Sequence, residues 1–134
     1  YRRQRQMCIR DSSAKEISVE FIARQTRADG IITTKPALVR RAKELGIFAV
    51  LRFFVIDSLA LKNIENLEMQ CGTSRPDFIE VLPGVMPKVL GRIAKVSRIP
   101  MIAGGLITEK EDVIAALSAG AIAVSSTNQD VWNL

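Results

Sequence analysis

Two stretches near the C-terminus hold residue types that suit an anion. Ile99-Pro-Met-Ile-Ala-Gly-Gly-Leu106 closes a short apolar run with two adjacent glycines, and Gly120-Ala-Ile-Ala-Val-Ser-Ser-Thr-Asn128 closes another with three hydroxyl residues. Adjacent glycines let a loop turn its N–H groups inward with no Cβ in the way. Hydroxyls and amides heading a short helix can donate to the same oxygens. Gly104, Gly105, Ser125, Ser126 and Thr127 are therefore the candidate phosphate-binding set. Packing is the competing explanation, with the glycines fitting a tight corner and the hydroxyls capping a helix from Asn128.

Four charged residues are candidates to line the same site. Arg52 lies inside the otherwise apolar stretch 47–56, and Glu80 lies inside the strand-like stretch 77–82, which is otherwise apolar after Asp77. A charge there cannot face a helix layer without a large desolvation cost, so both are expected to point toward a polar interior and to meet. That leaves two roles, a buried ion pair or a pair in which Arg52 reaches a ligand and Glu80 orients it or accepts a hydroxyl. Asp57, where the Arg52 run ends, suits either hydroxyl recognition or capping of the next helix. Lys35 adds charge near an anion or is a solvated loop residue.

Lys88, Arg92, Lys95 and Arg98 recur at spacings of four, three and three, a stripe that could follow a nucleic-acid backbone or form a solvated helix face. Arg24, Arg27, Arg40, Arg41 and Lys43 make a second basic group. With no histidine, Ser-His-Asp and Cys-His catalysis and histidine metal sites are excluded. No catalytic or metal-ligating set is assigned.

The elements that position these residues alternate regularly. Helical spacing covers 13–26, with Ser13 and Glu16 as a capping box and Ile17, Phe21 and Ile22 on one face. Further helices are expected over 36–45, from 57 or 58 to Gly72, over 86–96, after a Thr108/Glu111 capping box to Gly120, and briefly over 128–134. Apolar runs between them predict strands starting near 30, 47, 77, 100 and 121. No hairpin dipeptide joins adjacent strands, so they must be parallel with right-handed crossovers. The expected class is α/β, and the alternation leaves two forms, a (β/α) barrel of TIM type or an open doubly wound sheet. Either fold places function at the C-terminal strand ends, and the absence of Gly-x-Gly-x-x-Gly after any strand weighs against dinucleotide binding.

The 134 residues, 48% of them hydrophobic, suffice for one compact core. No stretch is apolar for long enough to span a bilayer as a helix, so no membrane partner is expected. Two cysteines, Cys8 and Cys71, fit a reducing compartment, and the expected location is cytoplasmic. The net charge of +5 is uneven, because Arg2, Arg3, Arg5 and Arg10 against Asp11 carry +3 of it. Residues 1–11 resemble translated sequencing-adapter DNA and are read as a non-native leader, which leaves 12–134 as the C-terminal part of a single barrel domain.

Four strings carry a resemblance to a known family: Ala28-Asp-Gly-Ile-Ile-Thr-Thr-Lys35, Leu51-Arg-Phe-Phe-Val-Ile-Asp-Ser58, Asp77-Phe-Ile-Glu-Val-Leu-Pro-Gly-Val-Met-Pro-Lys88 and Ile102-Ala-Gly-Gly-Leu-Ile107. Over 13–132 the chain resembles the glycerol uptake operon antiterminator regulatory proteins. The resemblance implies a (β/α) barrel that responds to glycerol 3-phosphate, binds the leader mRNA of glycerol-catabolism genes and is not an enzyme. The effector is its one implied small molecule, with no cofactor, and no motif fixes an oligomeric state. Position by position, Gly104, Gly105, Ser125, Ser126 and Thr127 would hold the phosphate, with Arg52, Asp57 and Glu80 at the mouth. The family's first strands have no match here, so the chain reads as about five strands of an incomplete barrel, poorly stable or self-associating through an exposed edge. The alternative is a barrel enzyme acting on a small phosphorylated metabolite, with Glu80 or Asp57 as base and Lys35 as electrophile.

Overall fold

The structure, a computed structural model, describes residues 16–67 and 75–133. The leader at 1–11, the Ser13 cap, Cys71 and the Gly72 helix stop lie outside the described residues. Five strands form one sheet in the order β1-β2-β3-β4-β5, with a helix between each consecutive pair. That order follows the sequence without the reversal a doubly wound sheet requires, and so has the barrel type of connection. The chain divides into two compact units.

The first unit, described over 16–52 and 75–77, holds α1 (Glu16–Gln25), β1 (Gly30–Thr33), α2 (Pro36–Glu44) and the start of β2 (Phe48–Phe54). β1 and β2 pair in parallel, Gly30 opposite Phe48 and Thr33 opposite Leu51. Ile31, Ile32, Leu38, Val39, Ala42, Ala49 and Leu51 are buried. Pro36 opens α2 at its first turn, where its missing N–H costs nothing.

Asp77 joins parts distant in sequence. One carboxylate oxygen accepts from Lys43 Nζ at 2.7 Å, the other accepts from the Ala49 N–H at 2.9 Å, and the Asp77 N–H donates to Ala49 O. The Arg41 guanidinium is likewise held between carboxylates. Its hydrogen bond to Glu44 and its proximity to Glu20 push its pKa further above the usual arginine value.

The apolar face of α1 differs from expectation. Val19 and Ile22 are buried, whereas Ile17 and Phe21 are 70% and 63% exposed and border a shallow groove of about 250 Å³ with Glu20, Arg24 and Gln25. At 100° per residue, Val19 and Ile22 form one stripe and Ile17 and Phe21 another, turned away from it. The Glu20–Arg41 bridge at 2.8 Å fixes α1 against α2 with the first stripe inward.

The second unit, described over 53–67 and 78–133, holds the end of β2, α3 (Ser58–Glu65), β3 (Phe78–Leu82), α4 (Pro87–Val96), β4 (Met101–Gly104), α5 (Lys110–Ala119) and β5 (Ala123–Ser125). β3, β4 and β5 pair in parallel, with Glu80 opposite Ile102, Ile102 opposite Ala123, and Gly104 opposite Ser125. Side chains alternate across a strand. Ile79, Val81, Met101 and Ala103 thus share the fully buried face that the crossover helices cover. Glu80, Ile102, Gly104, Ala123 and Ser125 share the other.

Two local details differ from the sequence reading. The capping box of α5 sits one residue further on, Asp112 Oδ2 accepting from the N–H groups of both Thr108 and Glu109 at 3.2 Å. The final helix is a single 3₁₀ turn, Val131–Asn133. Gly120 ends α5 at φ +118, where a Cβ would come within 2.6 Å of Ala94 Cβ on α4.

Asp77→Ala is expected to cost roughly 1–3 kcal/mol in urea unfolding, because it leaves the Ala49 N–H and the Lys43 ammonium without their acceptor. Lys43→Ala keeps the Ala49 bond and should cost clearly less.

Candidate functional site

The C-terminal ends of β3, β4 and β5 bring four of the five expected phosphate residues together with Glu80. Glu80 is 2% exposed, and its carboxylate occupies the space above Gly104, so a Cβ on Gly104 would lie 2.5 Å from Glu80 Oε1. Gly104 is therefore a glycine because a buried carboxylate needs its room. Gly105 has a different reason. Its φ of +83 belongs to the left-handed region, and Leu106 follows at φ 62 with its side chain largely in solvent. Two successive left-handed residues turn the chain sharply as it leaves β4.

Gly84, in the loop after β3, packs against this turn. Its N–H donates to Gly105 O at 3.0 Å, and a Cβ on it would lie 2.9 Å from Gly104 N.

Across the register pair, Ser125 stands on the same face as Gly104 and Glu80, half-buried. Ser126 is more committed than its residue type implies. Its Oγ donates to Ile107 O at 2.8 Å and accepts from the Asn128 N–H at 3.1 Å, and its carbonyl accepts from Trp132 Nε1 at 2.7 Å. A hydroxyl has one proton to give. With that proton on Ile107, Ser126 can donate to an anion only through its backbone N–H. Thr127, exposed, completes the turn.

Asp57 lies at the exit of β2, where its Oδ1 accepts from the Ala60 N–H at 3.0 Å and caps α3. In the first unit, Arg52 is half-buried on β2 and Lys35 is exposed at the start of α2, its N–H donating to Thr33 Oγ1 at 3.1 Å. The structure thus brings Glu80, Gly104, Gly105, Ser125 and Ser126 to one corner.

A scan against family models matches residues 8–132 to the glycerol-3-phosphate responsive antiterminators. The chain belongs to this family. It is 45% identical over 123 residues to the uncharacterized protein YgcP of Escherichia coli K12, covering 92% of this chain and 63% of that protein. Among solved structures it is similar to the glycerol uptake operon antiterminator regulatory protein of Listeria monocytogenes, with TM-score 0.81 and 34% identity over 89% of this chain and 63% of that one. It is also similar to an antiterminator-related protein of Thermotoga maritima, with TM-score 0.73 and 38% identity over 90% of this chain and 66% of that one. The chain spans just under two thirds of each of these relatives. The fold is α/β of TIM-barrel type.

In this antiterminator-family chain the two basic groups differ. Arg24, Arg41 and Lys43 are engaged by Glu20, Glu44 and Asp77. Lys88, Arg92 and Lys95 stand exposed along α4, with Arg98 exposed just beyond it, and Arg92 lies 3.7 Å from Glu65. Among the described residues, no cluster of three or more metal-ligating side chains is present and no helix is long and apolar enough to cross a membrane. The Glu80 to Gly104 contact, the Gly84 clasp and the Trp132 to Ser126 bond were not foreseen. The one sequence signal near them is the Pro83-Gly84 pair that follows the apolar run of β3.

Gly105→Val should destabilise the chain by roughly 1–3 kcal/mol, since a β-branched residue is strained at that φ. Gly104→Ala should cost a similar roughly 1–3 kcal/mol by overpacking against Glu80. Chemical denaturation of both variants measures the effect, and Gly91→Ala, inside α4 where a Cβ meets nothing closer than 3.8 Å, should instead stabilise by roughly 0.5–1 kcal/mol.

Proposed function

We propose that this chain is the ligand-binding part of a transcription antiterminator that senses glycerol 3-phosphate and, when loaded, binds the leader mRNA of glycerol-catabolism genes in the cytoplasm. The supporting observation is the Gly104-Gly105 turn set in register beside Ser125-Ser126-Thr127. The amides of Gly105, Ser126 and Thr127 supply donors for phosphate oxygens, as at the strand ends of phosphate-binding barrels. Ser125 stands on the same face one residue rise deeper, beside the Glu80 carboxylate that fills the space above Gly104, and these two supply polar groups for the hydroxyls of a small phosphate ester. Arg52, Asp57 and Lys35 remain proposed for the mouth.

The chain acts by binding, without catalysis and with no cofactor beyond the effector. Linkage supplies the mechanism: if the ligand favours the form that fits RNA, RNA must raise ligand affinity by the same factor. The RNA surface proposed is the exposed stripe of Lys88, Arg92, Lys95 and Arg98, whose contacts to phosphates would make binding fall with added salt.

Gel-shift titration of leader RNA, with and without glycerol 3-phosphate, tests this reading. The expected result is a ligand-dependent gain in RNA affinity of about fivefold or more. Gly105→Val should abolish the gain, and Lys88→Ala with Lys95→Ala should weaken RNA binding with or without ligand. RNA binding that ignores the ligand, or turnover of a phosphorylated substrate, would contradict it.

A further inference from the structure

Gly84 touches the Gly105 turn at both of its ends. A Cβ on Gly84 would meet Gly104 N at 2.9 Å, Gly104 O at 3.0 Å and Ile107 Cδ1 at 2.9 Å, while the Gly84 N–H donates to Gly105 O at 3.0 Å. Backbone therefore lies directly on backbone, closer than any residue with a side chain allows. Ile107 in turn accepts the Ser126 hydroxyl through its carbonyl. The two halves of the proposed phosphate corner thus converge on Gly84.

From Gly84 the chain reaches α4 through Val85 and Met86 alone, both half-buried, and Pro87 stands at the first turn of the helix with its φ fixed by its ring. A connection this short has little slack. α4 is also the helix whose exposed face carries Lys88, Arg92 and Lys95. Leu90 and Ile93 anchor its other face in the core, so a shift at its root is borne by a packed element rather than absorbed in a loop.

We infer that Gly84 is a positioning residue that ties the occupancy of the Gly105 corner to the placement of α4, and through it to the basic stripe. A ligand drawing on the Gly105 and Ser126 amides fixes the peptide planes that Gly84 packs against, and α4 follows over two residues. This inference rests on the proposed reading of the corner as a phosphate site.

Hydrogen exchange of the whole chain, resolved by segment, tests it with glycerol 3-phosphate as probe and inorganic phosphate as control. In the wild type, saturating glycerol 3-phosphate should slow exchange about threefold or more both in 104–107 and in the first turns of α4. Protection in 104–107 with α4 unchanged would overturn the inference and leave the phosphate reading standing. No protection in either segment would mean that the phosphate reading itself has failed. Gly84→Ala, checked for native circular dichroism, displaces the Gly104 backbone and should need more glycerol 3-phosphate; at concentrations that again protect 104–107, α4 should stay unprotected and RNA affinity should not respond to the ligand. If this variant does not fold, the wild-type comparison decides alone.

Discussion

A carboxylate buried against a residue with no side chain sets the arrangement of the whole corner. Glu80 leaves water almost completely, which a charged group tolerates only in a closely defined setting. It takes the space above Gly104, and Gly84 packs on the backbone of the same residue. Gly104 is thus held from two sides, Glu80 filling the room its missing Cβ leaves and Gly84 reaching its backbone because Gly84 has no Cβ of its own. The turn at Gly105 leaves β4 from a fixed point, beside Ser125 in register. Ser126 then links that turn to Ile107 and Trp132. Everything proposed about ligand binding depends on this packing, which sets the direction of the loop amides before any anion arrives.

Much of this architecture is legible in the amino-acid order. Strands expected near 30, 47, 77, 100 and 121 begin at 30, 48, 78, 101 and 123, because apolar runs punctuated by Pro, Gly and capping residues leave few other assignments. What periodicity could not do was choose between the two stripes of α1, since Val19 with Ile22 and Ile17 with Phe21 both satisfy helical spacing. Tertiary packing makes the choice, with Val19 and Ile22 buried and Glu20 bridging to Arg41 on α2. The α5 cap lies at Glu109 and Asp112 rather than Thr108 and Glu111 because the short Asp112 side chain reaches back to two N–H groups at once.

The corner itself was half legible. Residue types pointed to Gly104, Gly105 and the hydroxyl run, but they assigned all five residues the same kind of role. The structure separates them: Gly104 makes room for a carboxylate, Gly105 supplies a left-handed turn, and the Ser126 hydroxyl is spent inside the protein. These roles arise from contacts between strands that are distant in sequence, and no local pattern encodes them. The basic residues divide in the same way. Arg41 and Lys43 hold the first unit together through Glu20, Glu44 and Asp77, whereas α4 presents its cations outward.

The most direct measurement is an amide-resolved nuclear magnetic resonance titration of the isotopically labelled chain with glycerol 3-phosphate. The account predicts saturable shifts of the Gly105, Ser126 and Thr127 N–H resonances, larger than those from inorganic phosphate and absent with glycerol. Saturable shifts confined to other residues, with these three amides unmoved, would contradict it.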